Sequence, residues 1–337
     1  MIRFLLCALF ATLAWINPSR AQGETPPLRI GWVTALANAP VLIAEHEGFF
    51  AEEGLKVELK PFGDGPVIQQ AMASGDLDVA YIGAPPVYQW FSRGLDSRIL
   101  AKVNYGQAAI VAKAGGPIAD LKDLRGRRLA GVARGSGMDV LLRGFVLKEA
   151  AKLDPDADLS LSQMPVGNMN AALETGTVDA VFSWEPFVSQ AVLRGADRVV
   201  FDVNAALPGY PWYVIAASAK TLKARDDDLV KLLRAHHRAI DFLRDHPAEA
   251  DQVIADEFKL EALTTQDGRT IPPAVLVAET RKRLGWSDEL TASDRVFIQR
   301  LMDYSRDLGF LARPLNVEQI VDDSLWKRAA EQNWRHR

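Results

Sequence analysis

Short apolar runs alternate with longer amphipathic segments along most of the chain. Each run has the length of a buried strand, and the segments between the runs have the spacing of helices that bury one face. The runs fall into two sets, 28–33, 55–60 and 79–82 in the first half and 128–132, 159–163 and 180–183 in the second. Strands that alternate with helices are typical of α/β folds. The pattern therefore predicts two α/β lobes, each with a mainly parallel sheet flanked by helices.

The two halves share a repeat around their third strands. Residues 74–94 align at a constant offset with residues 175–195, and both segments end in Arg-Gly. An aspartate before the strand and a proline after it recur in both segments, as Asp78 and Asp179 and as Pro85 and Pro186. Proline suits the first turn of a helix, where its missing N–H is not needed. Each segment thus predicts a turn, a short buried strand and a new helix.

The order of the remaining elements predicts that one lobe is inserted into the other. An apolar strand at 107–113 closes the first half, and another at 212–217 follows the second half. Helical patterns dominate the rest of the chain, at 227–245, 247–257, 272–284, 292–308 and 317–333. We therefore expect lobe I to comprise residues 28–112 and 213–337, and lobe II to comprise residues 113–212. Crossing segments at 113–118 and 204–212 would join the lobes.

The first 21 residues have the pattern of a cleaved signal peptide. Arg3 precedes an apolar run from Phe4 to Ile16, and small residues lead to Ala21. The run is shorter than the roughly 20 residues that span a bilayer, which argues against the alternative of a retained anchor helix. The single cysteine, Cys7, would leave with this segment. A mature chain without thiols suits an oxidising compartment, so we expect a periplasmic protein.

Composition and charge narrow the class of protein. Of the 337 residues, 48% are hydrophobic and 24% are charged, as in globular chains. The net charge of −4, spread without a basic run, argues against a nucleic-acid partner. The histidines are not spaced as metal ligands, and we interpret them as ordinary helix-surface residues: His46, His236, His237, His246 and His336. No catalytic or phosphate-loop motif is found, so we expect a non-enzymatic protein without a cofactor. We also expect it to be a monomer.

Four loops follow predicted strands and precede helices, at 34–38, 83–85, 134–137 and 184–186. Ligands of open α/β sheets bind at the carboxyl ends of the strands. If the lobes face each other, several helix N-termini converge on one cleft, and their N–H groups and dipoles favour an anion. The predicted ligand contacts are Thr34, Asn38, Gly83, Ala84, Arg134, Ser136, Gly137, Trp184, Glu185 and Trp212.

Several of these residues allow a second interpretation. Ser136 could serve only as a helix N-cap, and Arg134 could be solvated instead of pairing with the anion. Trp184 could pack in the core, and Glu185 could either receive a ligand amine or stabilise the start of a helix. Of Trp212 and Tyr213, strand alternation requires one to face the core. Trp32, on the first strand, is expected in the core.

Four segments resemble those of a known family, the periplasmic substrate-binding components of nitrate/sulfonate/taurine-type ABC transporters. The segments are 39–58, 73–83, 120–130 and 179–186, and the resemblance extends over roughly 28–260. It implies a type II periplasmic binding protein with a ligand cleft between two lobes, which closes around a solute by hinge motion and docks on an inner-membrane permease. It also implies that Ser136 and Trp184 line the cleft. Glu185, where many sulfonate binders have aspartate, and the apolar turn 83–85 depart from the family and leave the solute open.

The function expected from the sequence is capture of a small anionic solute for an ABC importer, with an alkanesulfonate or taurine as the best candidates. A pyrimidine or thiamine precursor, or an aromatic carboxylate, would suit the tryptophans instead. A periplasmic partner of a sensor is a third alternative. Enzymes similar to pyrimidine-precursor synthases, which are the enzyme alternative, use a histidine and a cluster of cysteines. Without its first 21 residues the chain has no cysteine, which argues against this alternative.

Overall fold

The structure is a computed structural model that describes residues 26–333. The predicted signal peptide, including Cys7, lies outside the described residues. In chain order the strands are β1 (Leu28–Val33), β2 (Val57–Phe62), β3 (Val79–Gly83), β4 (Ser97–Lys102), β5 (Asn104–Gly106), β6 (Ala108–Lys113), β7 (Arg128–Gly131), β8 (Ser160–Gln163), β9 (Ala180–Trp184), β10 (Asp197–Asp202), β11 (Tyr213–Ser218), β12 (Leu263–Thr264), β13 (Thr270–Ile271) and β14 (Leu284–Trp286).

The α-helices are α1 (Ala39–His46), α2 (Phe49–Glu52), α3 (Gly65–Ser74), α4 (Ala84–Ser92), α5 (Gly137–Val140), α6 (Val166–Glu174), α7 (Phe187–Arg194), α8 (Val203–Ala206), α9 (Ala219–Ala224), α10 (Asp226–Asp245), α11 (Pro247–Glu257), α12 (Pro273–Thr280), α13 (Ala292–Asp307) and α14 (Ser324–Asn333). A π-helix, Leu141–Ala151, continues α5. Among the helices of residues 26–333, none is long and apolar enough to cross a membrane.

Two five-stranded sheets form the two lobes, and both follow one plan. The first has the order β2-β1-β3-β11-β4 and the second has the order β8-β7-β9-β6-β10. In each sheet the first three strands are parallel, and the fourth runs antiparallel to both of its neighbours. The two-lobed α/β architecture is as predicted, and in each mixed sheet four of the five strands share one direction while β11 or β6 opposes them.

The repeated aspartates explain why the two halves share a sequence pattern. Asp78 accepts hydrogen bonds from the backbone N–H of Arg29 at 3.0 Å and from its guanidinium at 2.8 Å. Asp179 binds Arg128 in the same way, at 2.9 and 2.7 Å. Each aspartate therefore fixes the start of the third strand against the start of the first. Hydrogen bonds from Arg128 lower the pKa of Asp179, which keeps this carboxylate charged.

Strand β6 lies in lobe II, which corrects the predicted lobe boundary. It pairs with β9 and β10, and its residues Ala109 and Val111 pack with Met169 and Val181 in a small apolar cluster made only of lobe II residues. The expectation that 107–113 closes lobe I is therefore wrong, and lobe II begins at Ala108. A buried apolar run fits the interior of either sheet, so its composition does not say to which sheet it belongs. The crossings lie at 104–107 and 203–212.

The C-terminal part differs from its helical prediction at two places. The helix expected at 272–284 ends at Thr280, and Leu284–Trp286 instead pairs as β14 with β5. The helix expected at 317–333 is interrupted, because Ile320 and Val321 are buried where Val321 bridges to Ile99 of β4. The tertiary contacts of these short apolar stretches override their helical spacing.

Helix α13 connects the lobes away from the sheets. On lobe I, the Tyr88 hydroxyl of α4 lies 2.9 Å from the Ser305 hydroxyl of α13. On lobe II, the Tyr304 ring packs against Gly144 in the π-helix so closely that a Cβ there would overlap the ring. Glu149 of the same π-helix accepts hydrogen bonds from Arg300 and from the Tyr304 hydroxyl. Gly144 is thus required for the approach of lobe II to α13.

Candidate functional site

A cavity of about 530 Å³ lies between the two sheets, at the carboxyl ends of their parallel strands. Its lining comes from both lobes and the returning crossing: Val33, Gly63, Asp64, Gly65, Pro66, Gly83, Pro86, Val132, Ala133, Ser136, Gly137, Met138, Gln163, Met164, Pro165, Val166, Gly167, Trp184, Trp212 and Tyr213. We call this cavity the cleft. A second cavity, of about 790 Å³, lies at α10 and α14, away from these strand ends.

Four helices begin at the cleft, but they do not offer equal numbers of N–H donors. In lobe I, α3 and α4 carry prolines in their first turns, and the Ala84 N–H is bonded to the Trp212 carbonyl at 3.4 Å. In lobe II, Gly137 and Met138 begin α5, and Val166 and Gly167 begin α6. The first N–H groups of a helix have no partner within it. The backbone donors for an anion therefore come mainly from lobe II, while all four helix dipoles favour negative charge.

Ser136 both caps a helix and lines the cleft. Its Oγ accepts a hydrogen bond from the Asp139 N–H at 3.3 Å, which makes it the N-cap of α5. The hydroxyl hydrogen is not used by this contact, so it can be donated to a solute oxygen. Next to it, a Cβ at Gly137 would lie 3.2 Å from Pro85 and 3.3 Å from Trp212. Glycine at 137 therefore lets the turn approach lobe I.

Three aromatic side chains form much of the apolar wall. Trp184, the last residue of β9, is half-buried, whereas Trp212 and Tyr213 are only 2% and 6% exposed. Strand alternation predicted that one of Trp212 and Tyr213 faces the core. Both reach the cleft, because β11 begins at Tyr213 and Trp212 precedes the regular strand. Burial raises the pKa of Tyr213, so its hydroxyl stays protonated.

Five of the predicted contacts line the cleft, namely Gly83, Ser136, Gly137, Trp184 and Trp212. The other five, Thr34, Asn38, Ala84, Arg134 and Glu185, lie outside its lining. Thr34 is exposed, and its hydroxyl binds the Phe62 carbonyl at 3.1 Å. Asn38 is fully buried and donates to the Val33 carbonyl at 2.8 Å. Trp32, with 8% exposure, lies in the core as expected.

The structure places Arg134 and Glu185 in other roles. The side chain of Arg134 is half-exposed, and its guanidinium lies 5.9 Å from the ring centre of Phe310. Glu185 is fully buried and accepts hydrogen bonds from Nε of Arg283 at 2.5 Å and from the Ser189 N–H at 3.0 Å. Burial raises the pKa of Glu185, and the Arg283 charge opposes that rise. Its carboxylate is therefore not available to a ligand amine.

Two loops of the cleft were not predicted. Residues 63–66 follow β2 and residues 163–167 follow β8, and both are in the lining. These strands are the outer members of the two parallel sets. The rule that ligands lie at the carboxyl ends of parallel strands also applies to outer strands, so their Gly-Asp-Gly-Pro and Met-Pro-Val-Gly turns were the available signal.

The sequence from the end of the predicted signal peptide through α11 carries a family signature, because residues 21–256 match the NMT1-like family. The chain belongs to the NMT1-like family. A Bacillus subtilis (strain 168) protein named for the binding of aliphatic sulfonates is 24% identical, and the alignment covers 98% of this chain and 96% of that protein.

Solved periplasmic proteins share the fold of this NMT1-like chain. The aliphatic sulphonate binding protein SsuA of Escherichia coli superposes with a TM-score of 0.73 at 20% identity, over 87% of this chain and 91% of SsuA. The nitrate-binding protein NrtA of Synechocystis PCC 6803 gives a TM-score of 0.72 at 18% identity, over 91% of this chain and 88% of NrtA. At these identities the likeness shows the two-lobed binding-protein fold.

Proposed function

We propose that this protein is the periplasmic solute-binding component of an ABC importer and that it captures a small oxyanion in the cleft. The observation that carries the proposal is the convergence of four helix N-termini on one cavity between two lobes. The relatives named for aliphatic sulfonates support a sulfonate as the best candidate for the anionic head of the solute. A membrane permease is the partner that such a component requires.

Helix N-termini, and not charged side chains, favour an anion in the cleft, because the one charged side chain in the described lining is a carboxylate. Of the lining residues that the structure describes, none is a lysine, arginine, histidine or cysteine. The positive potential comes instead from helix N-termini, where N–H groups and dipoles favour negative charge. A sulfonate presents three acceptor oxygens, which can accept hydrogen bonds from the N–H groups that begin α5 and α6 (Gly137, Met138, Val166 and Gly167) and from the Ser136 hydroxyl. The same lining lacks the cysteine and histidine that the alternative enzyme chemistry needs.

Solute capture would use the two crossings as a hinge. Within residues 26–333, only segments 104–107 and 203–212 carry the chain between the two sheets, while α13 contacts both lobes at one side. Donors for the anion lie mainly on lobe II, and Pro86, Gly65 and Val33 close the cleft from lobe I. A solute that contacts both lobes binds the closed form more tightly and shifts the population towards it. Closure would thereby report solute binding to the permease.

Calorimetry on the secreted protein, unfolded and refolded to remove bound solute, tests this proposal. The ligands are propanesulfonate, nitrate and sulfate, with propanesulfonamide as an uncharged match for propanesulfonate. We expect at least one anion to bind with a Kd of about 10 μM or tighter, and the sulfonamide to bind at least about 100-fold more weakly. Equal binding of the neutral and anionic forms would contradict the anion site. Failure of every anion to bind would contradict the proposed function.

A further inference from the structure

The cleft lining indicates which organic group is attached to the anionic head of the solute. We infer that the solute joins one oxyanion head to an uncharged aromatic group, as in an arylsulfonate or an aromatic carboxylate. This inference rests on the proposed function, because it concerns the same cleft. Three properties of the lining support it: the placement of its carboxylates, its volume and its aromatic wall.

The carboxylates in and next to the cleft already accept hydrogen bonds from the protein. Asp64 is the one acidic side chain among the described lining residues, and it is exposed while its Oδ1 accepts the Val67 N–H at 3.1 Å as the N-cap of α3. The nearby Glu185 is held by Arg283 and Ser189. An ammonium in the cleft would also face the positive ends of helix dipoles. The charge pattern therefore favours a solute with a negative head and no cation, which separates it from an aminosulfonate.

The cleft is much larger than an oxyanion. Its volume of about 530 Å³ lies in the range of about 300–1,000 Å³ that is typical of sites for whole small organic molecules. The space beyond the head is bounded by apolar side chains, including Val33, Pro86, Met138, Met164 and Val166. Water in an apolar cavity makes few hydrogen bonds, so a large apolar group gains more from this space than a short chain does. The volume thus favours a bulky organic group.

The aromatic wall favours a ring over an alkyl chain of equal size. Trp212 contacts the rings of Tyr210 and Tyr213, with centroids 6.3 and 6.4 Å apart, and these contacts hold it in place. Trp184 stands at the carboxyl end of β9 with part of its side chain still accessible from the cleft. An indole that lines a cleft gains more from an aromatic partner than from an alkyl chain, because ring pairs gain from stacked or edge-to-face geometry beyond the area buried. Trp184 is therefore the residue that would contact the ring of the solute.

Matched sulfonates separate the three properties by calorimetry on the refolded, secreted protein. Benzenesulfonate is compared with ethanesulfonate for size and with cyclohexanesulfonate for aromatic character. Toluenesulfonate is compared with 4-(aminomethyl)benzenesulfonate for the ammonium. We expect benzenesulfonate to bind about tenfold more tightly than cyclohexanesulfonate and more tightly still than ethanesulfonate. We expect the added ammonium to weaken binding at least about tenfold.

Two variants test the assigned residue. Trp184→Ala should weaken benzenesulfonate about tenfold and ethanesulfonate less than about threefold, because only the aromatic ligand reaches the indole. Trp90→Ala is the matched control, since Trp90 is a half-buried tryptophan of α4 outside the lining, and it should change neither affinity. Equal losses for both ligands in Trp184→Ala would overturn the role of this ring.

The outcomes distinguish this inference from the proposed function. If no sulfonate, carboxylate or nitrate binds, the proposed function itself fails. If ethanesulfonate or taurine binds as tightly as benzenesulfonate, the anion-binding function stands and the aromatic inference is overturned. Equal affinity for benzenesulfonate and cyclohexanesulfonate overturns it as well, since the cleft would then recognise bulk alone.

Discussion

Arg283 binds the carboxylate of Glu185 through its Nε at 2.5 Å, and Glu185 follows Trp184, which lines the cleft. The same guanidinium donates to the Ser189 hydroxyl at 2.9 Å, and the Arg283 carbonyl accepts the Gln107 N–H at 2.8 Å. One residue of the C-terminal part thus holds the first crossing and the cleft wall of lobe II together. Both charged side chains are at most 9% exposed.

Removal of Arg283 is expected to destabilise the fold strongly. Arg283→Met would leave the Glu185 carboxylate buried without its charged partner, which costs about 3–5 kcal/mol of unfolding free energy. Adding Glu185→Gln should recover much of this loss, because the buried charge is then gone. Urea unfolding measures both variants. Arg244→Met, at a pair where the arginine is 62% exposed, is the control and should change stability by less than about 1 kcal/mol. A loss no larger in Arg283→Met than in this control would contradict the interpretation.

Acid should destabilise the protein through His236. Its ring is fully buried between the Tyr81 hydroxyl at 3.3 Å and the Lys102 carbonyl at 3.2 Å, so the expectation that it lies on a helix surface is wrong. Burial lowers its pKa to about 4 from the usual 6.5. The unfolded chain therefore takes up a proton at this residue between pH 6.5 and pH 4, while the folded chain does not. Stability should fall as the pH falls through this window, by about 2 kcal/mol from pH 7 to pH 5.

Urea unfolding of His236→Gln at the two pH values checks this assignment. The variant should lack about 2 kcal/mol of the pH dependence of the parent protein. His46→Gln is the control, because His46 is an exposed histidine, 3.1 Å from Glu257, and its replacement should leave most of the dependence in place. An unchanged pH dependence in His236→Gln would show that other groups cause it.

Two serines allow capping to be separated from solute binding. Ser136 caps α5, and Ser218 caps α9 by accepting the Thr221 N–H at 3.1 Å, far from the cleft lining. Replacement of either residue by alanine should cost about 1 kcal/mol of stability. Ser136→Ala alone should weaken the bound anion, by about tenfold, because it also removes a hydroxyl donor. Thermal unfolding and calorimetry measure the two effects, and equal anion affinity in the two variants would make Ser136 a cap only.

Gly144→Ala is expected to disturb the contact between lobe II and α13. The added methyl group would overlap the Tyr304 ring, and overpacking of this kind costs about 1–3 kcal/mol. In the double variant with Tyr304→Ala the cost should largely vanish, which a double-mutant cycle by urea unfolding detects. Gly167→Ala is the control, since its added methyl meets open space at the start of another helix. Additive effects in the cycle would show that the two residues do not share the strain.

The repeat allowed most of the fold to be predicted, because it marks the same physical unit twice. Asp78 and Asp179 precede their strands in both halves since each must hold an arginine at the neighbouring strand, and that requirement is visible as sequence. Ser136 and Trp184 follow predicted strands directly, so the strand-end rule places them at the cleft. The positions of these residues next to a strand in the sequence were sufficient to predict their places in the fold.

The errors concern relations between distant segments. Whether β6 joins the first or the second sheet depends on its partners β9 and β10, which its own apolar sequence does not specify. Glu185 could be assigned to a ligand until Arg283, 98 residues later, was found beside it. The position of His236 within its helix gives no sign of burial in the sequence, and its ring is buried because it packs against Tyr81 of another segment. Contacts between residues that are far apart in the sequence depend on the folded topology. They do not appear as a periodic pattern of hydrophobic residues along the chain.

The position of β6 has a consequence for the order in which the two sheets can form as the chain is synthesised. All five strands of the second sheet lie between Ala108 and Asp202, so that sheet is complete once this stretch has emerged. The first sheet must wait for β11, which is inserted between β3 and β4 after lobe II has passed. The earlier half of lobe I therefore lacks the strand that joins β3 to β4 until the later half of the chain is available, so lobe II can complete its sheet before lobe I does.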